Sequence, residues 1–208
     1  MSFGLNEVLN VISTIATVVG AGGVIALFIS LKTLKADHDR SRRHMAVEML
    51  KFWVINLDSH TSSASKFVEN LGKNECLAIY NGEEFSLADK NNIESLKKCF
   101  DKNEMPDELL NIKTESVKVS ANTSYHIRQL IVHYLNMLET IMLSARHNIA
   151  DKDIVHEQFK YLYNKDTQKT LLQQFRATIN AADNFPAITQ YILHLESVHK
   201  KDGKEPTA

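Results

Sequence analysis

The chain has 208 residues, 44% of them hydrophobic, and carries 24 lysines and arginines against 25 aspartates and glutamates. Setting Glu7 and Lys32 aside with the N-terminal segment leaves 23 against 24, a balance with no broad positive field for nucleic acid. Seven glycines and three prolines are too few for a turn-rich β fold, and the two cysteines, Cys76 and Cys99, have a spacing that resembles no metal motif.

The first element is an apolar run. Residues 8–31, 24 in number, hold no charged side chain. As a helix they would be about 36 Å long, enough to cross a hydrocarbon core of roughly 30 Å with some tilt. A cleavable signal peptide would have a positive start and a shorter apolar core, whereas the first seven residues hold only Glu7 as a charge. Gly20, Ala21, Gly22 and Gly23 do not continue as a dinucleotide-binding turn, because Ile25 stands where the last glycine would be. Ala16, Gly20 and Gly23 share one helical face, where small residues let a second copy pack closely. We therefore expect residues 1–34 to be a transmembrane anchor with a capacity for self-association.

Lys32, Lys35, Arg40, Arg42 and Arg43 all follow the run. Basic residues are retained on the cytoplasmic side, so the N-terminus is expected outside and the rest inside. There, Arg40, Arg42 and Arg43 would meet anionic lipid headgroups, and Cys76 and Cys99 would stay reduced as small buried thiols. Residues 35–200 then form one cytosolic helical-bundle domain, and 201–208 a polar, flexible tail.

Within the domain, apolar residues recur every three or four positions, which predicts an all-α fold. The first helix continues from the membrane through Leu57, with Met45, Met49, Phe52 and Trp53 on one side. Thr61 or Ser62 is the expected cap of a second helix stopping near Gly72, and a short third one, carrying Cys76, Leu77 and Tyr80, stops near Gly82. Ser86 with Asp89 resembles a capping box before a helix through Phe100, and residues 101–119, with Pro106, form a connection. The longest helix is expected over 121–148, with Ile127, Leu130, Ile131, Tyr134, Leu138, Ile141 and Ala145 on one face and Leu135 and Met142 beside it. Such a helix belongs in the centre of a bundle. Helices over 151–163, 167–179 and 186–199 follow, the last with Pro186 in its first turn and Asp183 or Asn184 as cap.

The search for catalytic and metal motifs returns little. His156-Glu157 begins H-E-x-x-H, but Lys160 replaces the second histidine. Glu196 and His199 make one E-x-x-H where a di-iron bundle needs two. There is no phosphate-cradling glycine loop and no nucleophile elbow. No catalytic residue, metal site or cofactor is expected. One polar constellation interrupts the long helix: His133, Asn136 and Glu139 lie along one side and are candidates for holding a polar ligand, or else for fixing the packing of facing helices. Trp53, Tyr80, Phe85, Tyr134, Tyr161 and Tyr163 read as core and groove residues.

The order of the N-terminal helix, Arg40-Ser-Arg-Arg43, Phe52-Trp53, Leu77-Ala78-Ile79-Tyr80-Asn81, Tyr134-Leu-Asn-Met-Leu-Glu139 and Phe185-Pro186-Ala187-Ile188 resembles an uncharacterised bacterial family of single-pass membrane proteins with a cytosolic helical domain. That resemblance implies an inner-membrane location and brings no catalytic residues. Three functions stay open at this point. The first is a membrane-anchored, non-catalytic interaction module with a protein partner. The second is a sensor or effector, in stress or phage defence, that oligomerises through its anchor. The third is an enzyme of unrecognised type using His133 and Glu139.

Overall fold

The computed structural model describes residues 5–110, 116–164, 167 and 169–202, with side chains from residue 29 to residue 198 within those stretches. It is mainly helical. Helix α1 (Leu5–Asn56) runs for 52 residues without a break and enters the domain as a stalk. Among the described residues no helix is long and apolar enough to cross a membrane. The expected span over 8–31 falls mostly on residues whose side chains lie outside that description, as do Ala16, Gly20 and Gly23.

The domain gathers round α6 (Ala121–Arg146), whose buried residues include Ile127, Ile131, Tyr134, Leu135, Leu138, Ile141, Met142 and Ala145. These match the apolar face read from the sequence, with Leu130 partly buried beside them. Helices α2 (Ser59–Glu69), α3 (Lys73–Asn81), α7 (Lys152–Phe159) and α10 (Pro186–Asp202) pack on α6, so it is the axle of the bundle. The lower end of α1 closes the assembly, burying Ala46 and Trp53 fully and Met45, Met49 and Leu50 partly.

Several ends differ from expectation, each for a local electrostatic or steric reason. Helix α2 is capped by Asp58, whose carboxylate accepts the Thr61 N–H at 2.6 Å, so the helix starts before Thr61 and Ser62. A charged acceptor three residues upstream displaces the hydroxyl caps. Gly72 does not end α2: Asn70 does, and Gly72 instead precedes α3 in an extended conformation (φ −79°). Gly82 ends α3 at φ 69°, a left-handed position that glycine adopts without a Cβ penalty.

Ser86 is not part of a cap. It lies in β1 (Phe85–Leu87), which pairs antiparallel with β2 (Val117–Val119) in the register Phe85 to Val119 and Leu87 to Val117. Asp89 caps α4 (Lys90–Lys97), accepting from Asn91 N–H at 2.9 Å. The short helix α5 (Asp107–Leu110) lies in the connection before β2, and its Glu108 accepts the Thr123 hydroxyl at 2.7 Å and the Ser120 N–H at 3.2 Å at the start of α6.

Between α7 and α10 the chain is less helical than the spacing predicts. After α7 a 3-10 turn over Lys160–Leu162 leads into β3 (Tyr163–Asn164), which pairs with β4 (Lys169–Thr170). Leu172 takes a left-handed conformation at φ 49°, and only Gln173–Thr178 then forms α8. A buried leucine in that region is strained, so tertiary packing holds it there against its own preference. A further turn, α9 (Ala181–Asn184), leads to Pro186 at the first position of α10.

Candidate functional site

A cavity of about 1080 Å³ opens where the foot of α1, helix α2, α6 and the β3–β4 hairpin meet. Its floor is aromatic. Trp53 packs edge-on against Tyr134, ring centroids 5.2 Å apart, and against Phe159 at 5.3 Å. Both Trp53 and Tyr134 are almost wholly buried, at 5% and 4% exposure. Tyr161, from the turn after α7, also lines the cavity and is 52% exposed.

The rim is polar. Lys66 and Glu69 come from one face of α2, Lys73 from the start of α3, Lys169 from β4, and Gln173 and Gln174 from α8. Among the described residues neither Lys73 nor Lys169 has an ion-pair partner within 4 Å. Burial raises the Glu69 carboxyl above its ordinary range, opposed by the nearby Leu172 backbone N–H and by the charge of Lys66. Glu69 is exposed to the opening yet surrounded by protein, which is why its charged form is poorly solvated. Burial also raises the phenols of Tyr134 and Tyr161, the neighbouring Tyr161 oxygen adding to it at Tyr134 and the Glu69 charge acting on both. All three groups thus share one patch of low polarity. Neutral phenols can donate and accept hydrogen bonds there, and the rim ammonium groups supply net positive charge.

The polar, basic and thiol residues singled out from the sequence lie elsewhere. Glu139 turns toward α10, where its carboxylate accepts the Ala187 N–H at 2.8 Å and the Ile188 N–H at 3.0 Å. His133 and Asn136 are exposed one turn apart on α6, and none of the three lines the large cavity. Arg40 is exposed; Arg42 faces Asp39 at 4.0 Å, and Arg43 faces Asp151 at 3.8 Å. The Asp151 N–H also donates to the Arg42 carbonyl at 3.1 Å, and its carboxylate caps α7 by accepting from Asp153 and Ile154. Asp151 is therefore the clasp between stalk and domain. Cys76 and Cys99 are buried and free, and no group of three metal-binding side chains occurs among the described residues.

Lys66, Glu69, Lys73 and Lys169 did not stand out in the sequence, because they reach the cavity from separate segments, whereas Trp53, Tyr134 and Tyr161, read there as core and groove residues, line it. The one local signal is that Lys66, Glu69 and Lys73 recur every three or four residues, spaced across the end of α2. No family model, curated protein or solved structure matches the chain.

Proposed function

We propose that the protein is a membrane-anchored, non-catalytic binding module in which the cavity at the foot of the stalk receives a ligand and the stalk carries the consequence to the membrane. The observation that carries this reading is the position of Trp53. It belongs to the unbroken helix that begins at Leu5, and it is also the floor of a cavity of about 1080 Å³. Occupancy of the cavity therefore bears directly on a helix that continues toward the apolar run over 8–31.

The anchor itself is supported by that run and by the basic residues after it, which favour an inner-membrane location with the domain in the cytoplasm. Arg40, at the head of the stalk, is free to meet anionic lipid. The carboxylate of Glu139 is engaged at α10 and His133 faces outward, which removes the pair on which an enzymatic reading would rest.

The test is extraction of the full-length protein from its native membrane, followed by native mass spectrometry. Retention in the membrane fraction after an alkaline wash, with a bound small molecule that Tyr161→Ala releases, is the expected result. Recovery in the soluble fraction would end the anchored reading. A protein that is ligand-free in both forms would end the cavity reading.

A further inference from the structure

Resting on that reading, we propose that the cavity takes a nucleoside monophosphate, with its base against Tyr161 and its phosphate among Lys66, Lys73 and Lys169. Three features narrow the chemistry. Pockets that enclose small organic ligands measure about 300–1,000 Å³, and this one, at about 1080 Å³, has room for a nucleotide and its water but is far larger than a bare inorganic anion needs. Among the described lining residues the rim carries three lysines, Lys66, Lys73 and Lys169, against one carboxylate, Glu69. Lys73 and Lys169 have no ion-pair partner among the described residues.

The ring half of the ligand follows from the wall. Tyr161 lines the cavity and is 52% exposed, and the Phe159 ring lies beside it, tilted by 37°, at 6.1 Å between centroids. An exposed ring beside a cationic rim suits a planar base carrying phosphate, because stacking tolerates any base while the phosphate sets orientation. Tyr134, Gln173 and Gln174 are also in the lining, where a phenol and amide groups can meet polar edges of base or ribose.

Trp53 makes the test direct, since it is the single tryptophan of the chain and lies on the cavity floor. The detergent-solubilised full-length protein is titrated with AMP, GMP, CMP and UMP, with adenosine, and with inorganic phosphate. Trp53 fluorescence and equilibrium dialysis are the two readouts. Saturable binding of at least one monophosphate below about 1 mM is expected. Adenosine and phosphate alone should bind roughly tenfold more weakly. Lys73→Ala and Lys169→Ala should weaken the nucleotide and reduce its salt dependence while leaving adenosine unchanged. Tyr161→Ala should weaken both, and Tyr161→Leu, which keeps the bulk of the wall, should do the same; His133→Ala, on the exposed face of α6, should change nothing.

Phosphate binding as tightly as the nucleotide would overturn the assignment of the ring, and adenosine binding as tightly would overturn that of the phosphate. No saturable binding of any monophosphate by either readout would overturn the ligand class. In that last case a different molecule released by Tyr161→Ala from native membranes would leave the binding-module reading standing, whereas its absence as well would end both.

Discussion

The Glu139 carboxylate caps a helix to which it does not belong: it accepts the N–H of Ala187 at 2.8 Å, 48 residues further along the chain. Its second oxygen takes the N–H of Ile188 at 3.0 Å. Pro186 has no N–H to satisfy, and the Thr189 N–H already bonds the Phe185 carbonyl at 3.1 Å, so the first turn of α10 is fully accounted for. The negative charge also faces the positive end of the helix dipole.

Glu139→Ala should cost about 2–3 kcal/mol, because two donors at the buried Ala187 and Ile188 lose their acceptor. Glu139→Gln should cost about half as much, since one oxygen survives while an amide group meets the other N–H. Urea unfolding of the detergent-solubilised chain measures both; a midpoint equal to that of the unaltered protein would show the cap to be dispensable.

Asp151→Ala should loosen the stalk. It removes the cap of α7 and the partner of Arg43 together, for about 1–2 kcal/mol. Arg43→Ala should cost no more than about 0.5 kcal/mol, because its side chain is 72% exposed. Hydrogen exchange is the discriminating readout, with faster exchange expected in Asp151→Ala at the α1 amides near Arg42 and Ala46 and little change in Arg43→Ala.

The two glycines at helix ends should respond differently to alanine. Gly82 sits at φ 69° with nothing within 4 Å of the methyl that alanine would add, so Gly82→Ala bears only the conformational penalty of about 1 kcal/mol. Gly72 has an ordinary φ, and an added Cβ would meet the Glu75 carboxylate oxygen at 2.8 Å. That oxygen ends a flexible side chain that can swing away, so Gly72→Ala should cost under about 0.5 kcal/mol. Thermal unfolding of the two variants in parallel checks the order, and a reversed order would refute it.

Burial pushes the Cys76 thiol up to about 11 and the Cys99 thiol up to about 12, with Glu75 adding to the first. Both thiols should resist a thiol reagent at pH 8 until the protein is unfolded. Unfolded thiols ionise near about 8.5, so the folded state holds its full stability below that value and loses it progressively as pH rises toward 11 and 12. Denaturation midpoints from about pH 8 to about pH 11 should fall, and Cys76→Ala with Cys99→Ala should flatten the fall.

What the sequence made legible was whatever repeats along one helix. The apolar face of α6, from Ile127 to Ala145, needs only local spacing, as does the run of Met45, Met49 and Trp53 that seats the stalk. The β1–β2 pair was missed although Phe85-Ser-Leu87 and Val117-Lys-Val119 alternate, because three residues are too short a pattern and their partners lie about thirty residues apart. Leu172 shows the converse: nothing in its own type favours a left-handed backbone, and only the packing around it sets where α8 begins.

The polar residues expose a further limit. The spacing of His133, Asn136 and Glu139 establishes that they share a side of α6 but not what stands opposite, and α10 stands opposite Glu139 alone. The cavity residues, by contrast, come from α1, α2, α3, α6, the turn after α7, the β3–β4 hairpin and α8, and no one-dimensional pattern joins them.

A helix as long as the stalk would turn a small displacement at its foot into a larger one at its far end. From Trp53 back to Leu31 an unbroken helix spans about 33 Å, so a pivot of about 10° at the aromatic floor would sweep its far end sideways by about 6 Å. Part of the way along, Asp151 meets α1 through its backbone N–H on the Arg42 carbonyl and its carboxylate beside Arg43. Leverage in this protein is then a matter of where that clasp grips, and shifting it by one helical turn would change the mechanical gain without touching the cavity.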